Sequence, residues 1–314
     1  HYIVANPFED RSELDDAGDG SEYSGVHAIH HPMLRSIARS LKLGDMLLID
    51  VETSTVVYSV DKNPELGTNL VSGPYRNSAL AEAVVERLQT AAADEAVIVD
   101  FEPYAPAGLP PTTFIAAAIR DEDRVTGALA VELPSELLVN LTTADQDWEG
   151  TGLGETGEVY IVGADMLMRT DSRLWLEDPA DYLERASEVG YGSDITDALE
   201  AFDTTILIQP VDTDAVAAAL AGDRFIDTST NYLDERTLTV AGPLDIEGLQ
   251  WVGVAEVTTA EANGPLRRHL ITLGILLLVL LPVVVAVAVF VARRLLRPIE
   301  PIVEAADRVR QGDL

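Results

Sequence analysis

The chain has 314 residues, of which 53 are acidic and 21 basic, giving a formal net charge of −32 at pH 7. A surface this negative repels nucleic acid and anionic lipid, so no nucleic-acid partner is expected and an anionic ligand could be held only in a locally basic pocket. Cysteine is absent, which excludes disulfides, thiol catalysis and cysteine zinc sites and leaves the apolar core to hold the fold together. Only Lys42 and Lys62 stand against 19 arginines; a halophile or a GC-rich genome would each give that skew.

Residues 1–32 form a polar N-terminal segment, turn-rich over 11–31 (RSELDDAGDGSEYSGVHAIHH). HYIVANPF reads as the middle of a longer sequence, and a domain exported ahead of a later span implies a signal or anchor helix upstream. His27, His30 and His31 make an HxxHH cluster. His27 and His31 have the i, i+4 spacing that metal ligation on a helix would use, but no Glu follows the first His as in a zinc-protease helix. Capping or packing where a helix begins is the favoured reading, and neither a metal nor another cofactor is expected.

Residues 33–134 make a first module. Leu34, Ile37, Ala38 and Leu41 fall at i, i+3, i+4, i+7, one face of a helix. MLLIDVETSTVVYSV predicts two strands around a Glu-Thr-Ser-Thr turn, and GPYRNSALAEAVVERLQTA a helix capped by Ser78 or Asn77. EAVIVDFEPY, TTFIAAAIR and VTGALAVELP predict three more strands, the last two joined by DEDR. The result is an α+β unit on an antiparallel sheet.

Residues 135–266 repeat the scheme. SELLVNLTTADQDWEGTG is a connecting helix and loop, and GEVYIVGADMLMRTD is strand, turn, strand. Residues 180–221 lean to helix around a short strand at 205–210. RTLTVAGPLDIEGLQWVGVAEVTTAEA predicts two strands, with Leu249, Trp251, Gly253 and Ala255 on the inner face.

Residues 267–292 are the predicted transmembrane helix. The apolar run over 270–292 has 23 residues and would span about 34 Å, enough for a bilayer core. Residues 1–266 carry 49 acidic and 14 basic side chains, and residues 267–314 carry 4 and 7. The arginine-rich flank at Arg293, Arg294 and Arg297 belongs in the cytoplasm, so residues 1–266 are expected outside. Residues 293–314 continue as a helix with Ile299, Ile302, Ala306 and Val309 in a coiled-coil seam. So short a helix needs partner helices, which predicts a homodimer.

This order of elements, repeated once and ending at a membrane helix, resembles the double Cache (dCache) sensors of prokaryotic receptors, two tandem PAS-like modules. LGETGEVYIVGADMLMRTDSR looks like the signature of the membrane-proximal module, with Asp165-Met166 where the family's turn has a glycine. RRLLRPIEPIVEAADRVRQGDL is similar to the first HAMP helix. VDFEPYAP and GPYRNSALAEA resemble segments found in chemoreceptors and in class III adenylate/guanylate cyclases. The resemblance implies an extracytoplasmic sensor that binds a small-molecule ligand in the distal module and signals through the membrane. The implied output is a class III cyclase, with a methyl-accepting chemotaxis receptor as runner-up and a histidine kinase third. The family's amino-acid binders use a distal tryptophan, which this chain lacks: its three are Trp148, Trp175 and Trp251.

Few residues invite chemistry. Asp100, Glu102 and Tyr104 alternate with Phe101 and Pro103, so they point to one side of a strand. Carboxylates there could bind an ammonium group or simply form a solvated strand face. Tyr75 and Arg76 precede the distal helix and could close over a ligand carboxylate or make a surface ion pair. Tyr58 completes the candidate ligand set. Arg169, Asp171 and Arg173 are expected to pair with one another or with the loop after Trp175. No nucleophile elbow, P-loop or acid/base pair stands out, so catalysis within this chain is not expected; a membrane-tethered extracellular enzyme is the reading from a different class.

Overall fold

A computed structural model describes residues 1–89, 95–122, 124–148 and 150–296. Residues 1–259 form one compact unit and 260–314 a second. The first is α+β with two all-antiparallel sheets, as the alternating apolar strands predict.

The N-terminal segment makes a 3-10 turn at Arg11–Glu13 and enters helix α1 (Glu22–Ser40), whose Ser21 cap accepts the Ser24 N–H. Helix α1 thus begins well before the predicted position and carries Pro32 in its interior. Proline disfavours a helix interior, but the buried residues His27, His31 and Ala38 form one inward stripe across it, so packing overrides local propensity. Of the predicted apolar face only Leu34 and Ala38 pack inward, while Ile37 and Leu41 are exposed.

The first sheet runs β2-β1-β6-β5-β3, with β4 also on β5. Its strands are β1 (Met46–Asp50), β2 (Thr55–Ser59), β3 (Ala96–Ile98), β4 (Glu102–Pro103), β5 (Pro111–Asp121) and β6 (Arg124–Pro134). One face, with Met46, Tyr58 and Val60, packs on α1. The opposite face, with Leu47, Ile49, Phe114, Ala116, Ala128 and Ala130, packs on α2 (Ala79–Ala81) and the π-helical turns Glu82–Arg87 that continue it. Leu80 is fully buried there, worth about 2 kcal/mol of apolar burial. The predicted end of this helix beyond Gln89 lies outside the described residues. The predicted strand over 95–104 is broken between β3 and β4, where Asp100 turns toward the second module.

Helix α3 (Ser135–Thr143) leads to the second sheet, order β7-β10-β9-β8. It comprises β7 (Glu158–Val162), β8 (Phe225–Thr230), β9 (Arg236–Pro243) and β10 (Val252–Thr258). Helices α4 (Arg173–Glu177), α5 (Pro179–Val189), α6 (Ser193–Phe202) and α7 (Asp214–Leu220) precede β8 in the chain. Tyr160, Val162, Trp175, Tyr182, Val216, Val252 and Val254 belong to its core. The predicted strands at 166–171 and 205–210 reduce to isolated bridges, Val162 to Met168 and Leu167 to Pro210. In β10 the inward parity is the reverse of that predicted: Val252, Val254 and Glu256 are buried, while Gly253 and Ala255 are half-buried. Leu249 and Trp251 instead join Phe101 and Ile161 in a separate apolar cluster between the modules.

A short helix α8 (Thr259–Ala262) follows, then α9 (Gly264–Leu296). Within α9, 26 residues from His269 to Arg294 are long and apolar enough to cross a membrane, and none of that stretch is buried. At 1.5 Å per residue they extend about 39 Å. Residues 297–314, which hold most of the predicted HAMP helix, lie outside the described residues.

Candidate ligand-binding site

The side chains that stand out chemically lie at one end of the distal core. Strand period places Glu132 on the same face as Ala128 and Ala130. It is paired with Phe114 on β5, and its N–H donates to the Asp45 carbonyl at 2.9 Å. Tyr104 sets its ring edge-on to Phe114, centroids 4.9 Å apart. Glu65 comes from the connection between β2 and α2. Asp45, Glu65 and Tyr104 are fully buried and Glu132 is 7% exposed.

These groups are not equally satisfied. The Asp45 carboxylate accepts the N–H of Met46, Val60 and Asp61 and the Ser59 hydroxyl, so it is a structural knot. Both Glu65 oxygens and the Tyr104 Oη have no hydrogen-bond partner among the described residues. Each such group costs roughly 1–3 kcal/mol of unrecovered desolvation, and native proteins hold few of them. Burial, then the Asp45 and Glu132 charges, push the Glu65 carboxyl up to about 8. Burial, then the Asp45 and Asp61 charges, push Glu132 up to about 8. Burial raises Tyr104, with Glu65, Glu132, Asp45 and Tyr75 adding to it.

The residues picked from sequence separate. Tyr104 joins this cluster, and Tyr75 is half-buried near it. Arg76 is exposed and donates to the Gly73 carbonyl. Of the predicted trio only Asp100 leaves the shared side: Glu102 pairs in register with Thr112 on the Phe114 face where Tyr104 packs, and its carboxylate accepts the Ala79 N–H at the start of α2, beside the Ser78 cap. Asp100 accepts Arg169 Nε at 2.7 Å and Nη2 at 2.9 Å, and the Trp251 Nε1–H at 2.9 Å. Burial opposes that carboxylate, but the guanidinium and indole N–H outweigh it and hold its pKa below the usual value. Phe101 stacks on Trp251 at 5.8 Å. Asp100 is therefore half of a joint between the modules.

Tyr58 lies on the opposite sheet face, under α1. Its hydroxyl donates to His31 Nδ1 at 2.7 Å, and His31 Nε2 lies 2.6 Å from the Ser12 carbonyl and 3.0 Å from Lys62 Nζ. His27 stacks on His31 at 4.4 Å. Burial lowers His31 to about 4 and Lys62 to about 8, which keeps the imidazole neutral. The histidines pack. Among the described residues no group of three or more His, Asp or Glu side chains is placed to hold a metal ion.

The proximal module buries its own acids. Glu158 and Glu256 are register partners on β7 and β10. Glu158 accepts from Tyr232 Oη at 2.7 Å and from Ser172 and the Arg173 N–H; Glu256 accepts from Asn231 at 3.1 Å. Arg169, Asp171 and Arg173 do not pair with one another. Asp171 accepts from Thr204 and Thr205, and Arg173 donates to Glu177 and to the Gly154 and Gly157 carbonyls under Trp148. A Cβ at Gly163 would collide with the Arg169 guanidinium.

Sequence reasoning missed Glu65 and Glu132. For Glu132 a signal existed: it continues the inward parity of Ala128 and Ala130 in an apolar strand. Glu65, in DKNPELG, had none.

No protein-family model matches the sequence, and no curated protein matches it. Among solved structures, the ligand-binding domain of the Pseudomonas fluorescens chemoreceptor CtaA in complex with L-leucine is 13% identical, with 76% of this chain and 79% of that one covered and a TM-score of 0.42. The sensor domain of the Vibrio cholerae histidine kinase DctB is 13% identical over 75% and 80%, TM-score 0.41. The ligand-binding domain of the Campylobacter jejuni chemoreceptor Tlp3 in complex with L-valine is 13% identical over 76% and 75%, TM-score 0.43. Likeness of this degree assigns neither ligand nor output to the present chain.

Proposed function

We propose that the chain is the sensing and membrane-spanning part of a prokaryotic receptor. Residues 33–134 are the distal sensor module, 135–266 the proximal one, 267–292 the span, with residues 1–266 outside, and 293–314 the start of a HAMP relay. The observation that carries this reading is the distal cluster: buried polar atoms with no hydrogen-bond partner among the described residues, beside the apolar core of the same module. A small molecule bound there shifts a two-state dimer by its differential affinity for the two states. The dimer reading draws support from α1, where Val26, Ile29 and Met33 are exposed apolar side chains at i, i+3, i+7. In sequence, β10 ends at Thr258 and α9 begins at Gly264, which leaves a short path from the last strand to the span.

For the output, a class III adenylate/guanylate cyclase is favoured, because GPYRNSALAEA and VDFEPYAP resemble cyclase-linked sensors. The full-length receptor in vesicles, assayed for cyclic nucleotide formation with and without outside ligand, tests it. Ligand-dependent cyclic nucleotide supports the cyclase. Ligand-dependent control of kinase phosphorylation instead selects the chemotaxis receptor or histidine kinase. Turnover of a substrate by the outer domain alone would replace the sensor with a tethered enzyme.

A further inference from the structure

We infer that the distal module binds a small organic amine lacking a carboxylate, held by Glu65, Glu132 and the Tyr104 hydroxyl. This rests on the sensor reading above and names the chemical class of its ligand.

Three observations converge. First, Glu65 Oε1, Glu65 Oε2 and Tyr104 Oη are buried without a hydrogen-bond partner among the described residues. An ammonium group presents N–H donors and no acceptor, which complements a set made of two carboxylates and a phenol. Second, none of the ion pairs among the described residues involves Glu65 or Glu132. Two acids stand together with no cation of their own, and a ligand cation supplies the missing charge. Third, the aromatic pair Tyr104 and Phe114 adjoins the acids, giving apolar surface for the alkyl part of an amine and a π-system that attracts its charge.

The same geometry rejects the other classes. An anion would add its charge to a site whose acids already resist ionisation and have no ion-paired base among the described residues. A free amino acid would bring its own carboxylate toward Glu65 and Glu132 with no basic side chain paired there. A metal ion lacks a ligand group, since no set of three or more suitable side chains converges among the described residues. In the ligand-free site the raised acids hold their protons with no acceptor at either Glu65 oxygen, and a bound cation favours their ionised form.

The test uses the 314-residue chain in lipid nanodiscs at fixed ionic strength. Thermal denaturation and calorimetry are run against ethylamine, propylamine and putrescine. The comparison compounds are β-alanine and 4-aminobutyrate, which add a carboxylate, propanol, which lacks charge, and propionate, which inverts it. The expected result is saturable binding of at least one amine, with its carboxylate-bearing counterpart about tenfold weaker or worse. Glu65→Gln and Glu132→Gln should each weaken amine binding about tenfold, the loss of one charge-assisted hydrogen bond. Glu65→Gln should also flatten the fall of the ligand-free melting point as pH rises toward 8, because it removes a buried ionisable group. Glu65→Asp serves if that variant does not fold.

No saturation by any amine in folded protein overturns the inference, as does amine binding that survives both glutamine variants. Saturation by propanol, propionate or an amino acid alone overturns the amine assignment and leaves the sensor reading standing. Amine binding that leaves every output of the full-length receptor unchanged does the reverse.

Discussion

Asp100 of the distal module receives both Nε and Nη2 of Arg169 of the proximal module, at 2.7 and 2.9 Å. The guanidinium side chain is 3% exposed, the carboxylate side chain 38%. Asp165 adds a second ion pair at 2.9 Å, and Trp251 donates to the same Asp100 oxygen. A planar fork meeting a carboxylate fixes orientation as well as distance.

Removing the carboxylate therefore leaves a buried guanidinium with only part of its compensation. Asp100→Ala should destabilise the outer unit by about 2 kcal/mol, less than the 3–5 kcal/mol of a fully buried pair because Asp100 is part-exposed. Trp251→Phe should cost about 1 kcal/mol through the lost indole N–H bond. Urea denaturation of the two single variants and the double should show coupling, since both act on one carboxylate. Additive losses would mean that the joint is not one network.

The glycine at position 163 is required by that guanidinium. Gly163→Ala should destabilise by about 2 kcal/mol, by overpacking against a side chain that cannot retreat without leaving Asp100. In the same turn Met166 holds a φ of +60°, the left-handed region that favours glycine. Met166→Gly relieves strain of about 1–2 kcal/mol but adds unfolded-state freedom. The net expectation is a melting point unchanged or slightly raised, and a clear fall would refute it.

Tyr58 is predicted to matter for stability and not for ligand affinity. Tyr58→Phe removes the donor to His31 Nδ1 and should cost about 1–2 kcal/mol. Amine affinity in calorimetry should stay within about twofold, because Tyr58 faces α1 and the acids face the opposite side of the sheet. A large loss of affinity with normal stability would return Tyr58 to the ligand set.

The buried acids give stability a definite pH dependence. Glu65, Glu132 and Glu256 are raised to about 8 and Asp61 to about 7, chiefly by burial. Their folded pKa values exceed the unfolded ones, so the stability they contribute is full below the unfolded values and is lost as pH rises through the folded ones. His31, lowered to about 4, works in the opposite direction, but its gain is complete by its unfolded value near 6.5. Lys62, lowered to about 8, adds stability only above that pH. The ligand-free melting point should therefore fall between pH 6.5 and 8. The slope should be shallower in Glu65→Gln and Glu132→Gln, and a flat or rising profile in the parent would contradict these assignments.

How much of this was legible in the sequence depended on whether a residue answers to its neighbours along the chain or across space. The apolar runs of β1, β5, β6 and β10 announced themselves, and so did Ser78 as a cap and the run that became α9. Strand β8, FIDTST, stayed hidden because its only apolar residues, Phe225 and Ile226, are adjacent and do not alternate, and Ile226 is exposed. The parity of β10 inverted because Trp251 answers to Asp100, 151 residues away, rather than to its own sheet. For His27 and His31 the sequence allowed capping or packing at a helix start; they pack, on the buried face of α1, which begins earlier, at Glu22. In the distal site, Tyr104 was visible as an aromatic in an acidic strand. Glu65 was not, since nothing in a loop sequence says that a carboxylate will be shut away from solvent.

Lys62 has a consequence for chemical labelling. The chain holds two lysines, and one of them, Lys62, is fully buried with its amine against His31 and the Val60 carbonyl, while Lys42 is exposed beyond the end of α1. An acylating reagent should modify Lys42 at once and reach Lys62 only when the distal module opens. The rate at which the second lysine reacts is thus a built-in clock for that opening, readable by mass spectrometry without adding a probe to the protein.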